Sequence, residues 1–406
     1  MIRELTSDCV HCGFCLTTCP TYVLWREEMD SPRGRIHLMD ARLDGAVTLN
    51  ATVTTHFDRC LGCMACVSSC PSGVRYDRLI ESTRDAVERE YERPLGDRLL
   101  RGLLFLVLPY SGRMRAALRL APLGRVLPMP RRFRPLVEMA PRWRSRGDVP
   151  AVTPASGSRR GRVGLLTGCV QRAVFTDVKQ ATARVLAADG FEVVAPPQGC
   201  CGALSVHAGR LEEGRAFARR VVEAFDGVDL VVVNSSGCGS HLKELGWLLE
   251  SEDAEAFAAK VRDVGELLAE VPPRARRHPL ALTTARQDSC HLRHAQALPL
   301  ASLASLARIP ALDVVEPAEQ DLCCGSAGIY NLVQPQAARE LGDRKAANVL
   351  ATGAQVYASA NPGCLVQISN ALRRSDRPLP ALHPIELVDA SIRGVPAGSV
   401  RATARR

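Results

Sequence analysis

Cys9-Val10-His11-Cys12-Gly13-Phe14-Cys15-Leu16-Thr17-Thr18-Cys19-Pro20 and Cys60-Leu61-Gly62-Cys63-Met64-Ala65-Cys66-Val67-Ser68-Ser69-Cys70-Pro71 share one pattern, Cys-x2-Cys-x2-Cys-x3-Cys-Pro. In this spacing three thiolates on a tight loop converge on one iron–sulfur cube, and the fourth is carried past the loop to a neighbouring cube. Crosswise ligation follows. Cys9, Cys12, Cys15 and Cys70 are expected to hold one [4Fe-4S] cluster, and Cys60, Cys63, Cys66 and Cys19 the other. Zinc sites favour two separated pairs of cysteines and have no use for a third at the same spacing or for the trailing proline. A disulfide scaffold would be short and secreted.

At 406 residues the chain is long enough for two or three domains. Met1 to Asp8 contains no apolar run, so no signal peptide is expected, and sixteen cysteines in a reducing cytoplasm mean metal or catalysis. The longest apolar stretch, Leu103 to Leu108, ends at Pro109, far below the roughly twenty residues that cross a bilayer. The expectation is a soluble or peripheral protein.

Residues 1–92 hold both cysteine runs. The 40 residues between Cys19 and Cys60 exceed the linkage of a small bacterial ferredoxin, and Gly34 to Leu43, after the Ser31-Pro32 start signal, reads as a helix. Tyr76 to Tyr91 reads as a charged amphipathic helix closing a helical two-cluster domain. Arg33 and Arg35 are candidates to offset cluster charge, against the plainer reading of a solvated helix face.

Residues 93–160 form a bridge with fifteen Arg against Asp97, Glu138 and Asp148, an excess larger than the +9 of the whole chain. Its apolar pieces, Leu99 to Leu108 and Met114 to Leu127, are interrupted by Pro109, Pro122 and Pro128, which predicts short broken helices. The bridge is a linker, a docking surface for a partner subunit, or a basic face on anionic lipid; docking or membrane proximity is favoured. Nucleic acid is not expected as a partner. Phe105, Tyr110, Phe133 and Trp143 are too sparse for a stacking platform, and no DNA-reading motif is present.

Residues 161–396 contain an internal repeat. Cys169, Cys200-Cys201-Gly202 and Cys238 recur as Cys290, Cys323-Cys324-Gly325 and Cys364, at separations of 121, 123, 123 and 126 residues. These eight and the eight N-terminal cysteines account for all sixteen. Short strands (163–166, 192–194 and 229–233; 280–283, 313–315 and 355–358) alternate with helices in each copy, which predicts parallel α/β units with the cysteines at the carboxyl ends of the strands. The fold class is therefore multidomain α+β, a helical two-cluster domain followed by two pseudo-symmetric α/β lobes, 161–275 and 276–396. Gly202 and Gly325 are expected where the backbone turns sharply. Each set of four thiols suits a further iron–sulfur centre, zinc, or no metal. His207, His241, His291 and His294 lie near these cysteines in sequence, and none is expected as a metal ligand.

The texts HCGFCLTTCPTY, DSPRGRIHLM and CLGCMACVSSCPSGVRYDRLIE, followed by duplicated CCG motifs, resemble the glycolate oxidase (glycolate dehydrogenase) iron–sulfur subunit over nearly the whole chain. The CCG repeat is shared with heterodisulfide reductase, lactate-utilisation and glycerol-3-phosphate dehydrogenase subunits; DSPRGR points more narrowly to glycolate oxidase. The resemblance implies a flavin-free electron-transfer subunit at the inner face of the cytoplasmic membrane. It would take electrons from FAD-containing partners that oxidise glycolate to glyoxylate and pass them towards the quinone pool. The full CCG pattern ends in Cys-x2-Cys; here Ser235 and Asn361 stand where its first cysteine would be. The residues agree on the central point: no dinucleotide-binding glycine loop and no catalytic triad or carboxylate pair is present, so substrate oxidation is expected on a partner.

Overall fold

The computed structural model describes residues 2–126, 128, 130–141 and 147–403; Leu127 and the Arg142-Trp143-Arg144-Ser145-Arg146 part of the bridge lie outside them. Among the described residues nine strands form two sheets: β1 (Val152–Thr153), β2 (Gly161–Leu165), β3 (Phe191–Val194), β4 (Leu230–Val233) and β5 (Val261–Asp263), then β6 (Leu282–Gln287), β7 (Leu312–Val315), β8 (Val356–Ser359) and β9 (Ala381–Leu382). The first sheet runs β1-β3-β2-β4-β5 and the second β7-β6-β8-β9. All pairings are parallel except β1 with β3. Without β1 the two orders are the same, so the cysteine repeat is a repeat of topology.

The central strands are buried on both faces because helices cover both faces, although β6 carries the buried polar Thr284, Arg286 and Gln287. Val231, Val232 and Val233 of β4 have no exposed surface, as expected for a parallel sheet buried on two sides. The lobes share one core, from Val163, Val178 and Leu186 of the first to Val356, Ile368 and Leu387 of the second. Helix Thr176–Ala188 lies in this seam, and Arg184 holds Asp389 of helix Pro384–Ile392 through Nε and Nη2 at 2.9 and 2.7 Å.

The N-terminal part is helical: Pro32–Leu43, Ala51–Asp58 and Tyr76–Glu90 enclose Ile36, Phe57, Leu79 and Ile80. Ser31 caps the first by accepting the Gly34 N–H at 3.0 Å. The bridge differs from its expectation. It forms two long helices, Leu95–Val107 and Ser111–Val126, and Pro122 lies inside the second instead of ending it. Pro122 is exposed, and its missing N–H leaves one carbonyl of the preceding turn without its helical partner. The strand β1, within 93–160, joins the first lobe's sheet.

The N-terminal helices dock on both lobes. Arg84 Nη1 donates to the His207 carbonyl at 2.8 Å, the His291 ring meets the Gly62 carbonyl through Nε2 at 2.9 Å, and Ser68 Oγ is 2.6 Å from His294 Nδ1. Gly209, at φ +84°, lets its backbone touch the Arg84 carbonyl where a Cβ would collide. Gly209→Val should therefore loosen this junction, the left-handed backbone alone costing about 1–2 kcal/mol for a side-chain-bearing residue. Expected readouts are a lower Tm and faster proteolytic release of residues 1–92.

Candidate metal centres and the cavity beside them

Each N-terminal cysteine loop turns by two left-handed residues at matching positions. They are His11 (φ 52°) and Gly13 (φ 87°) in the first loop, Gly62 (φ 61°) and Met64 (φ 62°) in the second. Alternating left-handed residues fold three successive thiols onto one side. Cys9, Cys12, Cys15 and Cys70 line one depression with Pro71 and Tyr76, and Cys66 borders it. Cys19, Cys60, Cys63 and Cys66 line a second with Thr21, Arg35 and Tyr76. The second set is fully buried, whereas Cys12 is exposed. Thus the fourth cysteine of each run stands with the other run's first three. Burial raises the Cys66 thiol well above its ordinary range, with Cys63, Cys60 and Cys19 adding repulsion; the Cys9 thiol is raised by burial, with Cys70 and Cys12 beside it.

Arg35 is 1% exposed, contrary to a solvated helix face. It donates to the His56 carbonyl (2.6 Å) and to Thr21 Oγ1 (3.2 Å), which itself lies 3.2 Å from Cys19 Sγ. Burial alone would raise the Cys60 thiol. Arg35 and Arg84, the Gly62 N–H (3.4 Å to Sγ) and the Tyr76 hydroxyl (3.7 Å) together hold it below its ordinary value. Arg33 grips Glu28 with two nitrogens and donates to the His11 carbonyl at 3.0 Å, bracing the first loop.

In the lobes the repeated cysteines follow β2, β3 and β4, and β6, β7 and β8, at their carboxyl ends. Cys169 and Cys200 approach to 3.5 Å between sulfurs, Cys290 and Cys323 to 3.9 Å, and Cys324 and Cys364 to 3.2 Å. Cys200 and Cys238 lie beside Cys201 and, with burial, push its thiol well above the ordinary value, which completes the first set. Gly202 (φ +96°) and Gly325 (φ +85°) turn the chain beside each pair, where a Cβ would lie 2.6 Å from the Gly214 carbonyl and 2.7 Å from that of Ala338. Ser235 Oγ and Asn361 Oδ1 meet at 3.5 Å between the lobes, and Asn361 Nδ2 reaches Cys364 Sγ at 3.5 Å. Each set faces one fully buried lysine. Burial lowers Lys179 to about 7, against the raising influence of Cys238, Cys201 and Cys169; burial also lowers Lys345, against Cys324 and Cys323. Neither lysine was singled out in the sequence, because a helix Lys reads as solvated. All sixteen thiols are unpaired by disulfides, and four thiols per site with a buried cation at three of the four sites suit anionic iron–sulfur centres.

The histidines are engaged otherwise: His241 Nε2 meets the Cys201 carbonyl at 3.0 Å, and His207 Nδ1 meets Glu81 Oε1 at 2.8 Å. Both CCG sets open on one cavity of about 590 Å³, roofed by helices Leu95–Val107 and Ser111–Val126.

The family described as a cysteine-rich domain (CCG) matches residues 163–243 and 284–369, and the 4Fe-4S dicluster domain matches residues 5–74. The probable glycolate oxidase iron-sulfur subunit of Bacillus subtilis is 36% identical over 397 residues, covering 90% of this chain and 89% of that protein. The glycolate oxidase iron-sulfur subunit of Escherichia coli is 38% identical over 411 residues, 96% of each. A lactate utilization protein A of Exiguobacterium sp. is 27% identical, covering 98% of that protein and 57% of this chain.

Hydrogen bonds to cluster sulfur raise reduction potentials, so Tyr76→Phe, which deletes the hydroxyl beside Cys60, should lower one [4Fe-4S] potential by on the order of tens of millivolts. Redox titration followed by EPR reads this; an unchanged potential would mean that the hydroxyl does not tune the centre.

Proposed function

Because the chain belongs to the family of glycolate oxidase iron–sulfur subunits, we propose that it takes electrons from an FAD-containing partner oxidising glycolate to glyoxylate and delivers them to a quinone at the inner face of the cytoplasmic membrane. It is the electron-transfer component of an oxidoreductase complex and carries [4Fe-4S] clusters, with substrate oxidation on the catalytic subunit. Lactate as donor has weaker support, since the lactate-utilisation relatives align with little more than half of the chain.

The observation that carries this reading is the succession of thiol sets from surface to interior. Cys12 is exposed, flanked by the exposed Val10 and Phe14; behind it lies the buried Cys19, Cys60, Cys63 and Cys66 set. Cys63 packs with Leu322 and Cys323 of the second lobe, and Cys290 borders the same contact. In this reading Cys9, Cys12, Cys15 and Cys70 hold the entry cluster, and Cys60, Cys63, Cys66 and Cys19 the second. Cys169, Cys200, Cys201 and Cys238, and Cys290, Cys323, Cys324 and Cys364, hold further iron–sulfur centres, zinc being the alternative. Bound clusters supply one-electron steps; the protein fixes their order and tunes them through Arg35, Lys179 and Lys345. The four parts follow as 1–92, 93–160, 161–275 and 276–396.

The bridge is the membrane-facing element in this reading. No helix among the described residues is long and apolar enough to cross a membrane. Leu95, Leu99, Leu106, Leu120, Leu123 and Val126 are exposed on the two bridge helices, among Arg98, Arg113, Arg119 and Arg125. Apolar side chains framed by arginine suit the headgroup boundary of an anionic bilayer, each nearby cation contributing about 1 kcal/mol.

Anaerobic protein should contain more than the roughly eight irons of two cubanes, and the complex with its catalytic partner should reduce a quinone analogue with glycolate only when this chain is present. It should also sediment with phosphatidylglycerol vesicles, and Leu99→Asp combined with Leu123→Asp should abolish sedimentation while iron content is kept. Sedimentation unaffected by the double variant would remove the bridge from membrane contact.

A further inference from the structure

The two cysteine runs give the molecule an internal comparison. Their loops turn through left-handed residues at the same places, His11 and Gly13 in the first and Gly62 and Met64 in the second, so the residues between successive cysteines occupy equivalent positions. Val10 corresponds to Leu61, Cys12 to Cys63 and Phe14 to Ala65. In the second run this face is covered. Leu61, Cys63 and Ala65 are buried and share one apolar cluster with Leu322, Cys323 and Tyr330 of the second lobe, and the Gly62 carbonyl beside them meets the His291 ring. The loop face is thus where one thiol set meets the next.

In the first run the same face is bare. Val10 and Phe14 are 68% and 64% exposed, and Cys12 between them is the one exposed thiol of the sixteen. Exposed apolar side chains are ordinary when scattered. This pair is not scattered: it flanks a thiol, and the other large ones among the described residues lie in the bridge, 93–160, apart from Leu300. The face is also held in place from behind. Arg33 grips Glu28 through Nε and Nη2 at 2.7 and 3.2 Å and donates from Nη1 to the His11 carbonyl at 3.0 Å. A loop already fixed in one conformation loses little freedom when a partner covers it.

The chemistry of the face selects the partner. Between Cys9 and Pro20 there is no Asp, Glu, Lys or Arg. A carrier that must find and leave its site depends on charge for steering, and this loop offers none. Lacking Lys and Arg, it also has nothing to hold an anionic bilayer, unlike the bridge. An aromatic side chain seated in a partner's pocket is instead the anchor of a lasting contact.

We propose that Val10, Cys12 and Phe14 form the docking surface for the catalytic subunit, with Phe14 as its anchor, and that the contact brings the subunit's electron-donating centre against Cys12 as the second lobe brings Cys323 to Cys63. This rests on the reading of Cys9, Cys12, Cys15 and Cys70 as the entry set.

The test uses this chain in full and its catalytic subunit, both prepared without oxygen. Val10→Asp combined with Phe14→Asp should weaken their association at least tenfold in sedimentation velocity, with the iron content and EPR signal of the chain kept. Phe14→Leu, which keeps an apolar side chain, should stay within about threefold of the wild type. In the assembled complex, p-benzoylphenylalanine in place of Phe14 should attach to the catalytic subunit on irradiation. Unchanged association in the double variant, or attachment to lipid or to a second copy of this chain in place of the catalytic subunit, would overturn the proposal. If the double variant lost iron, the attachment site would decide alone. Association needs no substrate, so a complex that forms but whose clusters glycolate fails to reduce would overturn the glycolate reading, and the same two measurements would still decide the docking face.

Discussion

Anionic sulfur held away from water must be matched by a cation that is also away from water, and the rest of this structure is arranged around that requirement. An unpaired buried charge costs several kcal/mol, and besides the sulfurs Arg35 has Thr21 and Asp30 as partners, Lys179 the Leu166 carbonyl and Asn234 Oδ1, and Lys345 the Glu319 carbonyl. Arg35 shows how the match propagates. It contacts Asp30 at 3.4 Å, and Asp30 in turn receives Arg59 Nη1 at 2.7 Å and lies 2.9 Å from His56 Nδ1. The segment between the two cysteine runs is thereby tied to both of them, and its 40 residues serve to bring this buried network into place.

The duplicated lobes meet the same requirement by different means. Their strand orders agree and their cysteines correspond, yet Lys179 comes from the helix after the first cysteine and Lys345 from the helix after the cysteine pair. Charge compensation is therefore common to both lobes although the residues that supply it are not equivalent. At the positions of the missing fifth cysteine, Ser235 and Asn361 face each other across the lobes and both border the cavity. Four thiols per lobe with a polar residue at the fifth position leave a hydrogen-bonding edge at each centre.

What was legible in the sequence is what local spacing and period encode. Two loops of fixed cysteine spacing, the repeat, the helices near 34–43 and 76–91, and the strands of both lobes are all patterns within a few turns of chain. Pro122 misled because the helix-breaking rule states a cost of about 3 kcal/mol, which the packing of Met114 and Leu118 of the same helix against the lobes offsets. Short strands such as β5 and β9 carry too few residues to show a period. Lys179, Lys345 and Glu81 were invisible for another reason: their meaning is burial against residues distant in sequence, as Glu81 lies against His207, 126 positions away. The cavity likewise exists only once the bridge helices fold back over the lobes.

Helix Tyr76–Glu90 ties the second cysteine run to the first lobe. Tyr76 and Arg84, about 80° apart round the helix, address Cys60 through its sulfur and its carbonyl. Glu81 reaches the His207 ring, and Arg84 bonds the carbonyl of His207 itself, so the helix grips both the ring and the backbone of one residue of the lobe. A shift of this helix would therefore move the surroundings of Cys60 and the adjoining part of the lobe together.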